Sequence, residues 1–223
     1  MTVPGKAYTL CGLVSLLGIV RVELILVRHG LPLRVEQEQG RADPALSESG
    51  IREARQVGEW LARERIDAIY TSPMRRAVET AAPLAQRRAM QPVTRDDLAE
   101  YDRAASHYIP MEQLKAEDYP AWKAFVDGGY GDDFDIEVFR GRVAAGMEAI
   151  IDAERGKRVA VFCHGGVINV WASTVLGMPP RLFIDVRYAS ISRFLCASTG
   201  ERNVKSLNET QHLIAPEPQA RES

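Results

Sequence analysis

Two short apolar runs in this chain end alike. Residues 23–28 (ELILVR) lead into His29-Gly30, and residues 158–163 (RVAVFC) lead into His164-Gly165-Gly166. Short, nearly continuous apolar runs bounded by glycine read as strands buried on both faces, the kind found in parallel sheets covered by helices. A third run, 66–71 (IDAIYT), stops at Ser72-Pro73. Between these runs the hydrophobic period becomes helical. Ser47 caps a helix reaching to about Glu64, with Ile51, Ala54, Val57 and Leu61 on one face. Ser72 as N-cap and Pro73 as first helical residue begin a second helix that ends near Arg88. A short strand at 92–94 follows, then helices near 111–126 (interrupted or bent at Pro120), 136–153 and 167–176, and a terminal hairpin of 191–197 and 202–208.

Strands alternating with helices predict an α/β fold: a three-layer α/β/α sandwich around a mainly parallel sheet. With 223 residues, 46% of them hydrophobic, the chain has the material for one core. The expected organisation is an N-terminal extension at 1–21, a single domain at 22–214 and a flexible, Pro-rich tail at 215–223. The apolar stretch at 10–20 falls short of the about 20 residues that span a bilayer. It is followed by no small-residue cleavage site, and Val22 stands beside Met1 as a candidate start.

Ligands bind such sheets at the carboxyl ends of the strands. Arg28, His29 and His164 sit at those ends, and Arg76 lies one turn into a helix that leaves a third. Arginine forks match phosphate oxygens and keep their charge at any useful pH. Helix N-termini after Ser72 and Gly165 add N–H groups and a positive dipole. A neutral imidazole beside them is a competent phosphoryl acceptor, a second can support the developing oxygen charge, and a carboxylic acid must protonate the leaving oxygen.

Other chemistries fit less well. A net charge of -2 gives no basic surface for nucleic acid. Three cysteines, Cys11, Cys163 and Cys196, form no disulfide framework or zinc knuckle and read as reduced thiols of a cytoplasmic protein. A cysteine-phosphatase loop would need arginine where Asn169 stands. The two histidines have no HxH or HxxxH companion, so neither a metal nor another cofactor is expected. His107 and His212 read as ordinary surface residues.

In this arrangement the chain resembles the histidine phosphatase superfamily, the phosphoglycerate-mutase-like fold. The resemblance rests on Arg28-His29-Gly30, on Ala45-Leu46-Ser47-Glu48-Ser49-Gly50, on Ser72-Pro73-Met74-Arg75-Arg76-Ala77 with Thr80-Ala81, on Leu98-Ala99-Glu100 and on His164-Gly165-Gly166, in the family's order over roughly residues 22–208. It implies that His29 becomes phosphohistidine, that Arg28, Arg76 and His164 hold the phosphoryl oxygens, and that Glu100 is the acid and then the base. Three departures stand out. Val35 occupies the place of a common phosphate-contacting Asn. Tyr101-Asp102-Arg103-Ala104 replaces the usual stretch after the acid, which makes Asp102 the understudy to Glu100. Glu53 stands where Gln is common and reads as peripheral.

The resemblance implies a metal-independent phosphomonoester hydrolase acting on a small molecule, with neither nucleic acid nor membrane as partner and a homodimer left open. Phosphoglycerate mutase and a non-catalytic phospho-ligand binding module are the alternatives. The aromatic residues of 103–134 suit a lid over the leaving-group pocket. Arg34, in the loop leaving the first strand, can reach the pocket mouth, though its plainer reading is a solvated loop arginine.

Overall fold

The computed structural model describes residues 20–36, 40–127 and 134–213. The N-terminal extension before Val20, the Gly128-Gly129 break and the tail at 215–223 lie outside these residues. The chain order is β1 (Arg21–Arg28), β2 (Val35–Glu36), α1 (Glu48–Leu61), β3 (Ala68–Thr71), α2 (Arg75–Arg88), β4 (Val93–Thr94), β5 (His107–Tyr108), α3 (Met111–Glu117), α4 (Tyr119–Val126), α5 (Ile136–Ala153), β6 (Arg158–Cys163), α6 (Gly165–Val175), β7 (Ile191–Ala197) and β8 (Arg202–Glu209).

Six strands form one sheet in the order β4-β3-β6-β1-β7-β8, and β2 pairs separately with β5. From β4 to β1 the pairing is parallel, while β7 and β8 add antiparallel. Alternation along β1 explains the layers. Val22, Leu24 and Leu26 join a core with α5 and α6, while Ile25 and Val27 point the other way into a core with α1 and α2. Both faces of β1 and β6 are thus buried, as their continuous apolar sequences require. Because β1 and β6 are neighbours in register, with Arg28 opposite Cys163, the two His-Gly turns emerge side by side.

Ser47 caps α1 as its position suggests, its hydroxyl accepting from Gly50 N–H at 3.1 Å. Three local expectations need correction. Ser72 does not cap α2, which begins at Arg75 after Met74; its hydroxyl is drawn into the site instead. The stretch 111–126 is two helices. They part at Asp118, whose carboxylate accepts from Ala121 N–H at 3.0 Å, so Pro120 opens α4 rather than bending a longer helix. His212 is buried: its ring lies near Trp60 and its Nε2 bonds the Ala189 carbonyl at 2.9 Å. A polar residue in a short turn gives no local hint of that packing.

Candidate active site

The parallel pairing of β1 with β6 places His29 and His164 together, with ring centroids 5.1 Å apart. His29 is held from several sides. Its N–H donates to the Cys163 carbonyl, and its carbonyl accepts from Ala189 N–H. The next residue, Gly30, approaches α1 so closely that a Cβ there would meet Gly50 O at 2.6 Å. Gly30 N–H donates to Thr80 Oγ1 at 3.0 Å, and Thr80 in turn donates to the Arg76 carbonyl, tying the loop to α2. Glu53 is not peripheral: its carboxylate accepts from Leu31 N–H at 2.8 Å and so anchors the same loop.

Two hydrogen bonds fix the His29 tautomer. Nδ1 lies 2.8 Å from the Gly30 carbonyl, which can only accept, so Nδ1 carries the proton. Arg76 Nε–H donates to Nε2 at 3.2 Å, so Nε2 presents its lone pair. Burial, then the charges of Arg76 and Arg28, hold the His29 pKa well below the usual imidazole value. The ring is therefore neutral and oriented across the ordinary pH range.

Around that nitrogen the buried donors are only partly used. Arg28 lies flat over the Tyr188 ring, its Cζ 3.7 Å from the centroid, and bonds the Val186 carbonyl through NH1. Its Nε has no partner. Arg76 is stacked 4.7 Å from the Tyr108 ring centroid and pairs with Asp102 through NH2 at 3.0 Å, which leaves its NH1 unpartnered. His164 Nε2 lies 2.7 Å from Ser72 Oγ, while its Nδ1 is buried without a partner. Unsatisfied buried donors cost free energy unless a ligand meets them. Here two guanidinium donors and one ring nitrogen of His164, all without partners, belong to one cluster around His29.

Glu100 completes the group. Its Oε2 accepts from Gly166 N–H at 2.8 Å and its Oε1 from Tyr101 N–H at 3.1 Å. The Gly166 N–H was expected to face an anion; it is taken by this carboxyl. A Cβ on Gly166 would collide with the carboxyl group, so the glycine admits it against the start of α6. Burial and the neighbouring Asp102 charge push the Glu100 pKa up to about 7, against the two N–H donors and Arg76, which lower it. Asp102 is the partner of Arg76, a role that separates the two acids. Among the described residues no cluster of His, Cys, Asp and Glu is arranged to hold a metal ion, and no helix is long and apolar enough to cross a membrane.

The structure brings Arg28, His29, Arg76, Glu100 and His164 together, and it adds Ser72, Tyr108 and Tyr188. Tyr108 arrives through β5, which pairs with β2 at Val35, the position of the missing Asn. Arg34 does not line the cavity; it pairs with Glu117 at 2.8 Å on the outer surface. Cys163 is a buried strand-end thiol whose pKa burial raises, unsuited to attack.

A family model described as histidine phosphatase superfamily (branch 1) matches residues 24–210. The chain is 31% identical over 202 residues to the bifunctional protein Rv2228c of Mycobacterium tuberculosis, a match that covers 85% of this chain and 54% of that protein. It thus spans about half the length of that relative. It is 30% identical over 159 residues to the uncharacterized phosphatase PhoE of Bacillus subtilis, covering 70% of this chain and 79% of PhoE. Similar curated proteins include both phosphatases and probable phosphoglycerate mutases. Among solved structures, a phosphoserine phosphatase from Entamoeba histolytica superposes with a TM-score of 0.69 at 23% identity, covering 86% of this chain and 100% of that one. That likeness establishes a shared fold.

Proposed function

The chain belongs to the histidine phosphatase superfamily, and from that premise we propose that it is a phosphomonoester hydrolase working through a phosphohistidine on His29. One observation carries the reading: the lone pair of His29 Nε2 is oriented by two hydrogen bonds amid buried donors that lack partners. Pure binding of a phosphate has no use for a neutral imidazole fixed in that tautomer.

In the first step Nε2 attacks phosphorus and forms the P–N bond while the ester P–O bond breaks. The electron pair passes to the leaving oxygen, which takes the Glu100 proton. Arg28, Arg76 and His164 hold the three other oxygens, which carry the spreading negative charge. Arg76 exchanges its bond to Nε2 for one to a phosphoryl oxygen as the lone pair is consumed. In the second step the Glu100 carboxylate takes a proton from water. The water oxygen attacks phosphorus, the P–N bond breaks and its pair returns to Nε2. Positive charge is supplied by the two arginines, so the steps call for no metal ion.

A carboxyl with pKa about 7 suits both roles, because it is readily protonated for the first step and deprotonated for the second. Helices α3 and α4, which line the cavity, act as a lid over the leaving-group side in this reading. The test is a paired assay of phosphomonoester hydrolysis and 3-phosphoglycerate isomerisation. Hydrolysis without isomerisation is expected; rapid isomerisation with negligible hydrolysis would make the protein a mutase.

A further inference from the structure

The cavity in front of His29 has a volume of about 820 Å³, in the range that takes a drug-sized molecule rather than a single phosphate. Beyond the residues around His29 its wall is mostly apolar, with Leu114 from α3, Trp122 and Phe125 from α4, and Phe134, Phe183 and Val186, beside the polar His107, Lys115, Asn169 and Asp185. The two short helices are informative in a second way. Neither α3 nor α4 has a fully buried residue, although both carry large apolar side chains on the cavity wall. Leu114, Trp122 and Phe125 are only half-buried, so part of their apolar surface is open to the cavity.

The charges on the wall point the same way. Of the described lysines and arginines lining the cavity, Arg28 and Arg76 flank His29 and are assigned to the phosphoryl group. The remaining one, Lys115, is exposed and lies 4.3 Å from the Trp122 ring centroid, at the rim. Asp185 lines the same cavity and would repel a second anion, whereas Asp102 is paired with Arg76. A carboxylate a few bonds from the ester, as in a phosphorylated hydroxy acid, therefore meets mostly hydrocarbon, with Lys115 at the rim as the remaining cation among the described lining residues.

We infer that the leaving group is a bulky, uncharged, predominantly apolar alcohol, so that the substrate class is the alkyl or aryl phosphomonoester. This rests on the phosphatase reading above and narrows it. Binding of the hydrocarbon is the same in ground and transition states, so it acts on KM and leaves kcat nearly constant.

The experiment is a series of linear alkyl phosphates from ethyl to octyl, kept below their micelle concentrations. Their leaving oxygens have nearly equal basicity, so chain length alone varies. With full burial of each methylene, kcat/KM rises about fourfold per added carbon, through KM, until the cavity is filled. The paired substitution Trp122→Ala and Phe125→Ala flattens that slope, while Lys115→Ala leaves it in place. Two results would overturn the inference and leave the hydrolase intact: equal kcat/KM across the hydrolysed series, or a higher kcat/KM for phosphoserine or 3-phosphoglycerate than for octyl phosphate. Failure to hydrolyse any ester, with no phosphate found on His29, would remove the hydrolase reading itself and the inference with it.

Discussion

Strand β1 carries a buried charge near each end, and the protein treats the two differently. Near its start, Glu23 accepts from Arg158 at 2.7 Å and from Lys205 at 2.8 Å. Arg193 stands 3.5 Å away and is itself held by Glu64 at 2.9 Å. Every charge in that network has an opposite within reach, and hydrogen bonds together with their charges hold Glu23 below the usual carboxylate pKa, against burial. At its end, Arg28 is stacked on a tyrosine, its Nε lacks a partner, and its nearest carboxylate, Glu112, is 3.7 Å away on an exposed side chain. Burial alone does not separate them, since Glu23 is 8% and Arg28 6% exposed. Saturation does: a saturated cluster is a clamp on the sheet, while an unsaturated one is prepared for an anion.

Substitutions at the two ends should therefore separate activity from stability. The largest effect is expected from His29→Ala, which removes the proposed nucleophile; kcat falls on the order of 10⁵-fold while the melting temperature holds. Arg28→Met comes next. It costs about 10² to 10³ in kcat/KM, as the loss of a transition-state charge contact does. Stability is unchanged or improves, because an unpaired buried donor is removed. Inorganic phosphate, which raises the melting temperature of the parent, no longer does so in this variant. At the opposite end Arg193→Met should reverse the pattern. Stability falls by about 2–3 kcal/mol in denaturant titration, because Glu64 and Glu23 lose a buried partner, and kcat/KM stays within about twofold. A large activity loss with intact Arg28 chemistry would break the contrast.

Glu100→Gln gives a smaller loss of activity and the sharpest pH signature. In the parent, kcat/KM falls as pH rises through about 7, where the Glu100 carboxyl ionises and no longer supplies its proton. In the variant that limb disappears. The loss is greater for an alkyl phosphate than for a nitrophenyl ester, whose leaving group needs little protonation. The raised pKa also has a sign for stability. The native state resists losing a proton that the unfolded chain gives up near 4.5, so ionisation lowers parent stability progressively as pH climbs from there to about 7. Between pH 4 and pH 8 the stability of Glu100→Gln should therefore rise by about 3 kcal/mol relative to the parent. The acceptor oxygen lost to the N–H groups of Gly166 and Tyr101 costs about 1 kcal/mol at every pH, so the variant is the less stable of the two near pH 4 and the more stable above pH 7.

What could be read in the chain beforehand follows the reach of each signal. Periodicity and glycine placed helix 136–153 at the bounds of α5, and located β1, β6 and the turns carrying Arg28, His29 and His164. Those are properties of consecutive residues. Ser72 looked like a cap because Ser-Pro usually is one, yet its hydroxyl meets His164, a residue distant in sequence. Tyr188 gave no signal, since its role depends on the loop before β7 folding over Arg28. Glu53 was misjudged for the same reason: its partner, Leu31 N–H, belongs to another element. An interruption of the lid helices is legible at Pro120, but its place is not, because it is set by the Asp118 carboxylate turning to Ala121 N–H.

In the proposed reaction His29 Nε2 becomes covalently bonded to phosphorus. Mixing the protein with a phosphomonoester for milliseconds, quenching in alkaline denaturant and mapping the peptides by mass spectrometry tests it directly. The account predicts a phosphoryl group on His29, absent from His29→Ala and accumulating in Glu100→Gln with an aryl ester, because the water-activating carboxylate is gone. Turnover with no phosphate on His29 at any time point, or phosphate found on His164 instead, would contradict it.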